Sequence, residues 1–467
     1  MDFQNVRGMR DLVGEDALLQ QRIEDTIRKV SETYGYSPLY TPAVESFELF
    51  KAKGTAGEAI KDEIYYFKDK GEREIALRFE LTASLARVAA GNQLKMPFKR
   101  YQIGEVYRYD RPQAKRYRAF TQADLDILGV KSLKAELELM LIIKDIFAQL
   151  GLKPKVIFNS RNLMQEMLSI FGKGKEIEAM RIIDKMEKIG EEEVRKELTK
   201  IEVNQKIIDL IKGNSIEEVS KLNGMENSIG LKEVNDFLEM VNANGLDFVE
   251  LNLSLARGLD YYTGLVFEIK MGESVSIGGG GRFDKLIETY GGNSTPAVGI
   301  GLGVSRIFDF MKEKGEKKAV EGVFLFGLGA PYGKVLSTAQ VLRFNGISVE
   351  NDLSEKSISK NLENAQKKGY TFVAILGERE LQKKQITLKN IINGKQILVQ
   401  ASKIAEIKKF MKESAKIPRE NHAEGRKKLI GKEIAKKAHE VGKTIQEMSE
   451  KKFKKFQKAS NAQQTKK

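Results

Sequence analysis

Residues 100–129, RYQIGEVYRYDRPQAKRYRAFTQADLDILG, limit the possible folds more than any other part of the chain. Both ends of this stretch alternate between two sets of side chains, the period of a β-strand, and a basic loop joins them. The pattern therefore predicts a β-hairpin. On one face of its strands it collects Arg100, Gln102, Arg108, Phe120, Gln122, Asp124 and Asp126. A concavity with arginines, an aromatic ring, an amide and two carboxylates is suited to a polyanion beside a small polar molecule.

Composition excludes several kinds of chemistry. The chain has no cysteine, which excludes disulfides, thiolate nucleophiles and sulfur-ligated metals. Its only histidines, His422 and His439, lie near the C-terminus, so histidine metal sites and Ser-His-Asp catalysis are excluded elsewhere. Chemistry must therefore rest on Arg, Lys, Glu, Asp, Tyr and backbone groups, and Mg²⁺ is the expected metal.

The 467 residues are enough for about three domains with a sizeable core. No apolar run approaches the roughly 20 residues that span a bilayer. The first residues, MDFQNVRGMRDLVGED, contain no apolar stretch typical of a signal peptide. We therefore expect a cytoplasmic protein without membrane association.

The net charge of +14 is unevenly distributed. Residues 413–467 contain 16 Lys and Arg against 7 Asp and Glu, a net +9, which leaves +5 for residues 1–412. An excess of this size indicates a nucleic acid or another anionic surface as the partner. The alternative interpretation is a tail that only aids solubility.

Periodicity predicts an α+β chain in three parts. Residues 1–317 contain strand patterns interrupted by a charged, all-helical insertion at about 160–245. Residues 318–412 alternate strands and helices, as a small α/β domain does. Residues 413–467 form a basic, helix-forming tail whose last residues we expect to be disordered.

Two further segments are predicted to join the hairpin and the preceding LRFELT (77–82) in one site. ARGLDYYTG at 256–264 places an arginine in a turn loosened by glycine. Gly278 to Gly281 with Arg282, and then GIGLG leading to Arg306, let backbone approach a bulky anion. GIGLG is not the dinucleotide fingerprint, and GLGAPYGK at 327–334 is not a P-loop, because its glycine spacing is wrong.

Together these segments carry a family resemblance. VYRYDRP…RYRAFTQADLDI resembles motif 2 of class II aminoacyl-tRNA synthetases, AVGIGLGVSRIFDF resembles motif 3, and TPAVESFELF resembles the weaker motif 1. LARGLDYYTGLVFE is similar to a signature of the histidyl-tRNA synthetases. The resemblance spans about residues 1–412. It implies an antiparallel-sheet catalytic domain with a helical insertion, followed by an α/β anticodon-binding domain.

The resemblance also implies a role for each matching residue. Arg108 would contact the α-phosphate of ATP, with Arg257 beside the reacting carboxylate. The other implied ATP residues are Arg116 at the terminal phosphates, Phe120 stacked on adenine, and Arg306 at the other face of adenine or at the phosphates. The implied residues for L-histidine are Glu80, Thr82 and Gln122 at the α-amino group, and Asp126 and Tyr262, with Tyr261, at the imidazole. Gln113 lies where the family contacts the tRNA acceptor end.

By the same resemblance the chain would use ATP with Mg²⁺, charge tRNA(His), and form a homodimer through motif 1. The chain departs from the family pattern in two places. Phe283 stands where the family often has a tyrosine, and the tail after residue 412 has no counterpart. The tail could bind tRNA phosphates, or it could pack on the body of the protein or on a second subunit.

Two other readings of the sequence remain open. A non-catalytic paralogue could sense histidine and regulate another enzyme, but it would be expected to lose the motif arginines and the anticodon domain. A class II synthetase for threonine, proline or glycine would have a similar anticodon domain. The ARGLDYYTG segment and the spacing of Gln122 and Asp126 favour histidine.

Overall fold

The computed structural model describes residues 3–52, 61–109, 116–256, 261–272, 275–315, 320–354 and 356–414. The chain divides into two units, Met1–Glu316 and Lys317–Lys467. Within the described ranges, no helix combines the length and apolar character that a bilayer-spanning segment needs. Gln113 and Arg257, two of the predicted site residues, lie outside the described residues.

The first unit opens with a long amphipathic helix, α1 (Glu15–Thr33), which buries Leu19, Ile23, Ile27 and Val30 as its periodicity predicts. The elements that follow it are β1 Ser37–Pro38, β2 Val44–Ser46, α2 Phe47–Lys51, β3 Tyr66–Lys68, β4 Glu74–Leu77, α3 Thr82–Gly91, β5 Phe98–Tyr107, β6 Ala119–Leu128, α4 Lys134–Leu150 and β7 Lys155–Ser160. Strands β5 and β6 are the two arms of the predicted hairpin and pair antiparallel along their whole length.

All regular elements of the predicted helical insertion are helices. These are α5 Arg161–Phe171, α6 Glu176–Ile183, α7 Met186–Ile189, α8 Glu191–Lys200, α9 Lys206–Gly213, α10 Ile216–Ser220 and α11 Ile229–Ala243. Ser160 caps α5, because its hydroxyl accepts the Leu163 N–H. Helices α5 and α11 approach closely, since a β-carbon at Gly230 would lie 2.0 Å from the Leu163 nitrogen.

The remaining elements of the first unit are β8 Val249–Leu251, β9 Leu265–Met271, β10 Val275–Arg282, α12 Leu286–Thr289, β11 Ala297–Gly303 and α13 Val304–Glu313. Eight strands of the described chain form one sheet in the order β1-β5-β6-β11-β10-β9-β7-β8. Its pairs are antiparallel except β1 with β5 and β7 with β8. Strands β2, β4 and β3 form a small second sheet.

The hydrophobic core of the first unit covers one face of the large sheet. Ala123, Leu125 and Ile127 of β6 point into this core, together with the buried faces of α1, α4 and α13. Because side chains alternate along a strand, Gln122 and Asp126 must point to the opposite face. The polar half of the predicted hairpin is thereby separated from the core and left to form a site.

The second unit is a mixed α/β domain. Its elements are β12 Val320–Leu328, α14 Tyr332–Phe344, β13 Val349–Asn351, α15 Ile358–Lys367, β14 Tyr370–Gly377, α16 Glu378–Gln382, β15 Ile386–Asn390, β16 Gln396–Val399 and α17 Ile404–Ser414. The sheet order is β13-β12-β14-β15-β16, with parallel pairing among the first three strands and antiparallel pairing beyond. Apolar clusters lie on both faces of β12 and β14, which explains why both strands read as nearly continuous apolar runs.

Candidate active site

The polar face of β6 lies beside glycines on β11. The strand register forms three rows across β5, β6 and β11: Arg100, Asp126 and Gly299; Gln102, Asp124 and Gly301; and Gly104, Gln122 and Gly303. The next strand, β10, adds Gly281 and Gly279 to the first two rows. Because a glycine carries no side chain, the β11 side of each row leaves room for a ligand.

The glycines of β11 also make room for the carboxylates themselves. A β-carbon at Gly299 would lie 1.9 Å from Asp126 Oδ1, a distance that no real side chain tolerates. At Gly301 it would lie 3.0 Å from Asp124 Oδ1 and 3.1 Å from Gln122 Nε2, both at the ends of side chains. The GIGLG segment is therefore required by the side chains of β6 that lean across it.

A cavity of about 540 Å³ opens over this surface, a size typical of small-molecule sites. Nine of the predicted site residues line it: Glu80, Thr82, Arg108, Phe120, Gln122, Asp126, Tyr261, Tyr262 and Arg306. Arg116 is exposed and lies outside this lining. Segments that are far apart in the sequence thus meet in one site, as the motifs predict.

Arg108 is held between two aromatic rings. Its guanidinium carbon lies 4.6 Å from the centre of the Phe79 ring and 5.2 Å from that of Phe120. Its Nε donates a hydrogen bond to the Phe79 carbonyl at 3.2 Å. Stacking and this hydrogen bond together fix the plane of the guanidinium, which is the property needed to bind phosphate oxygens in a fork.

Arg306 enters the cavity from the first turn of α13, just after Gly303 ends β11. Its Nη1 donates to the Ser276 carbonyl on β10 at 2.8 Å. The side chain thereby bridges from the helix to the neighbouring strand. Its position in the lining places a second positive charge in the same cavity as Arg108.

Glu80 is tied to the start of α3. Its carboxylate accepts the backbone N–H groups of Thr82 and Ala83, each at 2.7 Å. A carboxylate is stabilised there by the unpaired amides and the positive end of the helix dipole. Glu80 is 7% exposed and lines the cavity, so the helix terminus fixes a negative charge at the ligand site.

Tyr261 and Tyr262 form a joined pair at the other side of the cavity. The Tyr261 hydroxyl donates to the Tyr262 hydroxyl at 2.9 Å, and the ring centres are 4.3 Å apart. Burial raises the pKa of Tyr261, and the negative charges of Glu80 and the β6 aspartates raise it further. Tyr261 therefore remains a neutral hydroxyl that can donate. Arg161 holds the chain here through a 2.8 Å hydrogen bond to the Tyr262 carbonyl.

Two arginines that the sequence grouped with the ligand-binding set have other partners. Arg100 shares the predicted face but is fully buried, with Nη2 2.7 Å from Asp126 Oδ2. Arg282 is also buried and binds Glu136 in a fork, with N–O distances of 2.6 and 2.8 Å. The expectation that Arg100 and Arg282 face a ligand is wrong, because neither lines the cavity.

Lys51, Phe79 and Asp124 also line the cavity, and sequence reasoning assigned no role to Lys51 or Phe79. Asp124 accepts a 2.7 Å hydrogen bond from Gln122 Nε2 and so orients that amide. The alternation of β6 was enough to find Asp124. Nothing in the local pattern of α2 identifies Lys51, since only the packing of α2 beside β4 brings it to the site.

The carboxylates of the described residues do not cluster as metal ligands do. Among the described residues, no group of three or more His, Cys, Asp or Glu side chains is arranged to hold a metal ion. The cavity carboxylates already have partners: Glu80 accepts backbone amides, Asp124 accepts the Gln122 amide, and Asp126 pairs with the Arg100 guanidinium. These residues do not form a protein-only metal cage.

Comparison with protein families gives two matches. Residues 8–307 match the family model described as "Histidyl-tRNA synthetase", and residues 330–413 match "Anticodon binding domain". The chain belongs to the histidyl-tRNA synthetase family. The first match alone covers more than half of the chain and includes every strand of the site.

Relatives agree with this family membership. The histidine–tRNA ligase of Pyrococcus abyssi is 32% identical over 428 residues, which cover 85% of this chain and 96% of that protein. Histidine–tRNA ligase 1 of Bacillus cereus is 34% identical over 424 residues, covering 87% and 99%. The crystal structure of histidyl-tRNA synthetase from Nostoc superposes with a TM-score of 0.77 at 29% identity, covering 88% of this chain and all of that one.

Histidyl-tRNA synthetases are aminoacyl-tRNA ligases, so the chain is an enzyme of this class. A Bacillus halodurans structure, titled as an ATP phosphoribosyltransferase regulatory subunit/histidyl-tRNA synthetase, has a TM-score of 0.68 at 20% identity. At that identity it shares only the fold. The fold therefore does not separate enzyme from regulator, whereas the motif residues in the cavity and the anticodon-binding match favour the enzyme.

Proposed function

We propose that this chain is a histidine–tRNA ligase, which activates L-histidine with ATP and transfers it to the 3′ end of tRNA(His). One observation carries the proposal: a single cavity joins a stacked arginine, Arg108, to a buried carboxylate, Asp126, and a tyrosine pair. The arginine end fits a nucleotide phosphate. The carboxylate and tyrosine end fits an imidazole.

Activation requires two anions to meet. A carboxylate oxygen of histidine attacks the α-phosphorus of ATP, and pyrophosphate leaves as histidyl-adenylate forms. The protein supplies no nucleophile, so its contribution is positioning and neutralisation of charge. We assign the α-phosphate to Arg108 and Arg257, and the adenine and outer phosphates to Phe120, Arg306 and Arg116.

The histidine side chain would be read at both ring nitrogens. Asp126 accepts a ring N–H, and the Tyr262 hydroxyl, linked to Tyr261, pairs with the other nitrogen. An amino acid without two polar ring positions would leave these groups unpaired in a buried site, which is how such a pocket discriminates. Phe283 contributes an apolar wall here, with its ring centre 6.3 Å from that of Tyr261.

The α-amino group of histidine is positively charged and needs acceptors. We assign it to Glu80, Thr82 and Gln122, which line the same cavity. Glu80 is held by backbone amides and Gln122 by Asp124, so both are oriented before the ligand arrives. This places the carboxylate of histidine towards the arginine end.

Mg²⁺ would enter bound to ATP, held by phosphate oxygens and water with at most one or two carboxylates. When bound, it neutralises charge on the phosphates. A metal ion that takes most of its ligands from ATP and water needs no cage of protein side chains, and the described residues form none.

We assign residues 1–317 to the catalytic domain with its helical insertion, 318–412 to anticodon binding, and 413–467 to an added basic tail. Gln113 would meet the acceptor end of the tRNA, and a homodimer would form through the motif 1 segment at 41–50. The cytoplasm is the expected location. These assignments rest on the family and on the sequence motifs.

ATP–pyrophosphate exchange tests the proposal when each amino acid is offered in turn. We expect exchange with histidine and not with threonine, proline or glycine, followed by charging of tRNA(His). Exchange with one of those three alone would refute the specificity. No exchange with any amino acid, together with tight histidine binding, would favour the regulatory paralogue.

A further inference from the structure

We propose that Arg100, which does not line the cavity, positions the Asp126 carboxylate and thereby sets the affinity for the histidine side chain. This inference rests on the function proposed above. It concerns a residue that touches no ligand and acts through another residue.

The two oxygens of Asp126 have different neighbours. Oδ2 lies 2.7 Å from Nη2 of Arg100, which stands directly opposite on β5. Oδ1 lies over Gly299 on β11, where a β-carbon would be 1.9 Å away. Arg100 and Gly299 thus flank the carboxylate from the two neighbouring strands. Asp126 also lines the cavity, where the ring N–H would arrive.

Charge explains why an arginine is needed at this position. Asp124 and Asp126 lie two residues apart on one face of β6 and are 3% and 2% exposed. Two buried carboxylates repel each other and are poorly solvated. The Arg100 guanidinium is fully buried beside both, 2.7 Å from the nearer oxygen of Asp126 and 3.8 Å from Asp124. A positive charge in this position keeps the pair of aspartates in place.

Arg100 is itself oriented from outside the site. Its Nη1 donates to Gln102 Oε1 at 3.4 Å, and Gln102 Nε2 donates to Thr41 Oγ1 at 2.8 Å. Thr41 lies in the segment between β1 and β2. A line of polar contacts therefore runs from that segment through Gln102 and Arg100 to Asp126.

The test is ATP–pyrophosphate exchange with the full-length protein, comparing wild type with Arg100→Met, Arg100→Lys, Asp126→Asn and the double variant Arg100→Met with Asp126→Asn. We expect Arg100→Met to raise KM for histidine about 10-fold or more while KM for ATP changes less than about twofold, as for loss of a charged partner. Arg100→Lys should restore part of the affinity. In the Asp126→Asn background, the same Met substitution should change KM for histidine by less than about twofold.

Arg87→Met is the matched control, because Arg87 also pairs with a buried carboxylate, Glu45, at 2.8 Å but lies outside the cavity lining. It should leave KM for histidine unchanged. If Arg100→Met does not fold, Gln102→Met gives the same test with a smaller effect in the same direction.

The inference would be overturned if Arg100→Met raised KM for histidine and KM for ATP equally. It would also be overturned if the effect of Arg100→Met on KM for histidine simply added to that of Asp126→Asn. Either result would leave Arg100 a purely structural residue. An unchanged KM for histidine in a folded Arg100→Met variant would also overturn it. Absence of histidine-dependent exchange in the wild type would instead refute the proposed function.

Discussion

Gly299 lies directly opposite Asp126 on the neighbouring strand, and a β-carbon at position 299 would lie 1.9 Å from the Asp126 Oδ1 atom. This relationship explains the glycine-rich sequence of β11 by the shape of a side chain on β6. The absence of a side chain at position 299 is what lets the carboxylate reach the cavity. Gly301 relates to Asp124 in the same way, but with a distance of 3.0 Å.

Gly299→Ala should therefore displace the Asp126 carboxylate and weaken histidine binding. We expect KM for histidine in exchange to rise at least about 10-fold, since a charged hydrogen bond is lost. Gly301→Ala should have a smaller effect, because the ends of two side chains can move away by a few tenths of an ångström. Gly91→Ala, which meets no atom within 4 Å, is the control and should leave KM unchanged. Equal effects at 299 and 301 would contradict the assignment.

Arg108→Lys should reduce the exchange rate constant about 100-fold or more, because lysine lacks the planar fork and loses both ring contacts. Steady-state exchange at saturating histidine measures this effect. Arg28→Lys, on the exposed side of α1, should behave as wild type. A loss of less than about threefold at position 108 would mean that Arg108 does not contact the reacting phosphate.

Arg257→Ala should abolish exchange while the far-ultraviolet circular dichroism stays that of the wild type. The reason is the family resemblance of LARGLDYYTG together with the need to neutralise charge between carboxylate and phosphate. Arg73→Ala, at a site where the side chain is 80% exposed, is a suitable control. Near-normal exchange by the Arg257 variant would show that the site has been placed wrongly.

Glu233 on α11 should make stability depend on pH. Burial raises the pKa of its carboxyl above the ordinary value. The hydrogen bond from Ser160 lowers this pKa, and the nearby charge of Glu136 raises it. The folded chain then holds this proton to higher pH than the unfolded chain. The free energy of unfolding therefore falls as pH rises from the ordinary carboxyl pKa through the raised one.

Glu233→Gln removes this ionisation and should raise Tm at pH 8 by about 2 °C, as expected for roughly 1 kcal/mol in a large domain. At a pH below the ordinary carboxyl pKa the gain should vanish. Glu239→Gln on the exposed side of the same helix serves as the comparison. A gain in Tm that is the same at both pH values would rule out the ionisation of Glu233 as its cause.

Removal of residues 416–467 should leave amino-acid activation intact and weaken tRNA binding. The anticodon-binding match ends at residue 413, and two relatives are covered to 96% and 99% by alignments that take in 85% and 87% of this chain. Because the tail is strongly basic, its loss should raise KM for tRNA and lower the dependence of that KM on salt. Charging assays at two salt concentrations measure both. An unchanged KM with a lower Tm would instead assign the tail to packing on the protein.

Much of the fold could be read from local patterns. The alternation in residues 119–128 predicted both the strand and its two faces, because one set of side chains had to enter an apolar core and the other could not. Helix α1 followed from apolar periodicity in the same way, and the helices of the insertion followed from its charged, helix-forming sequence. Residue types already grouped three segments into one site, whereas the role of each residue in it came only from the family resemblance.

Tertiary structure decided which partner each charged residue meets. The sequence placed Arg100 on the correct face but could not pair it with Asp126, because that pairing depends on the register of two strands. Arg282 follows a glycine run beside the site, yet its guanidinium meets Glu136, 146 residues earlier in the chain. Alternation along a strand fixes the face of a side chain, whereas its partner depends on the neighbouring strand or helix. No local pattern contains that information.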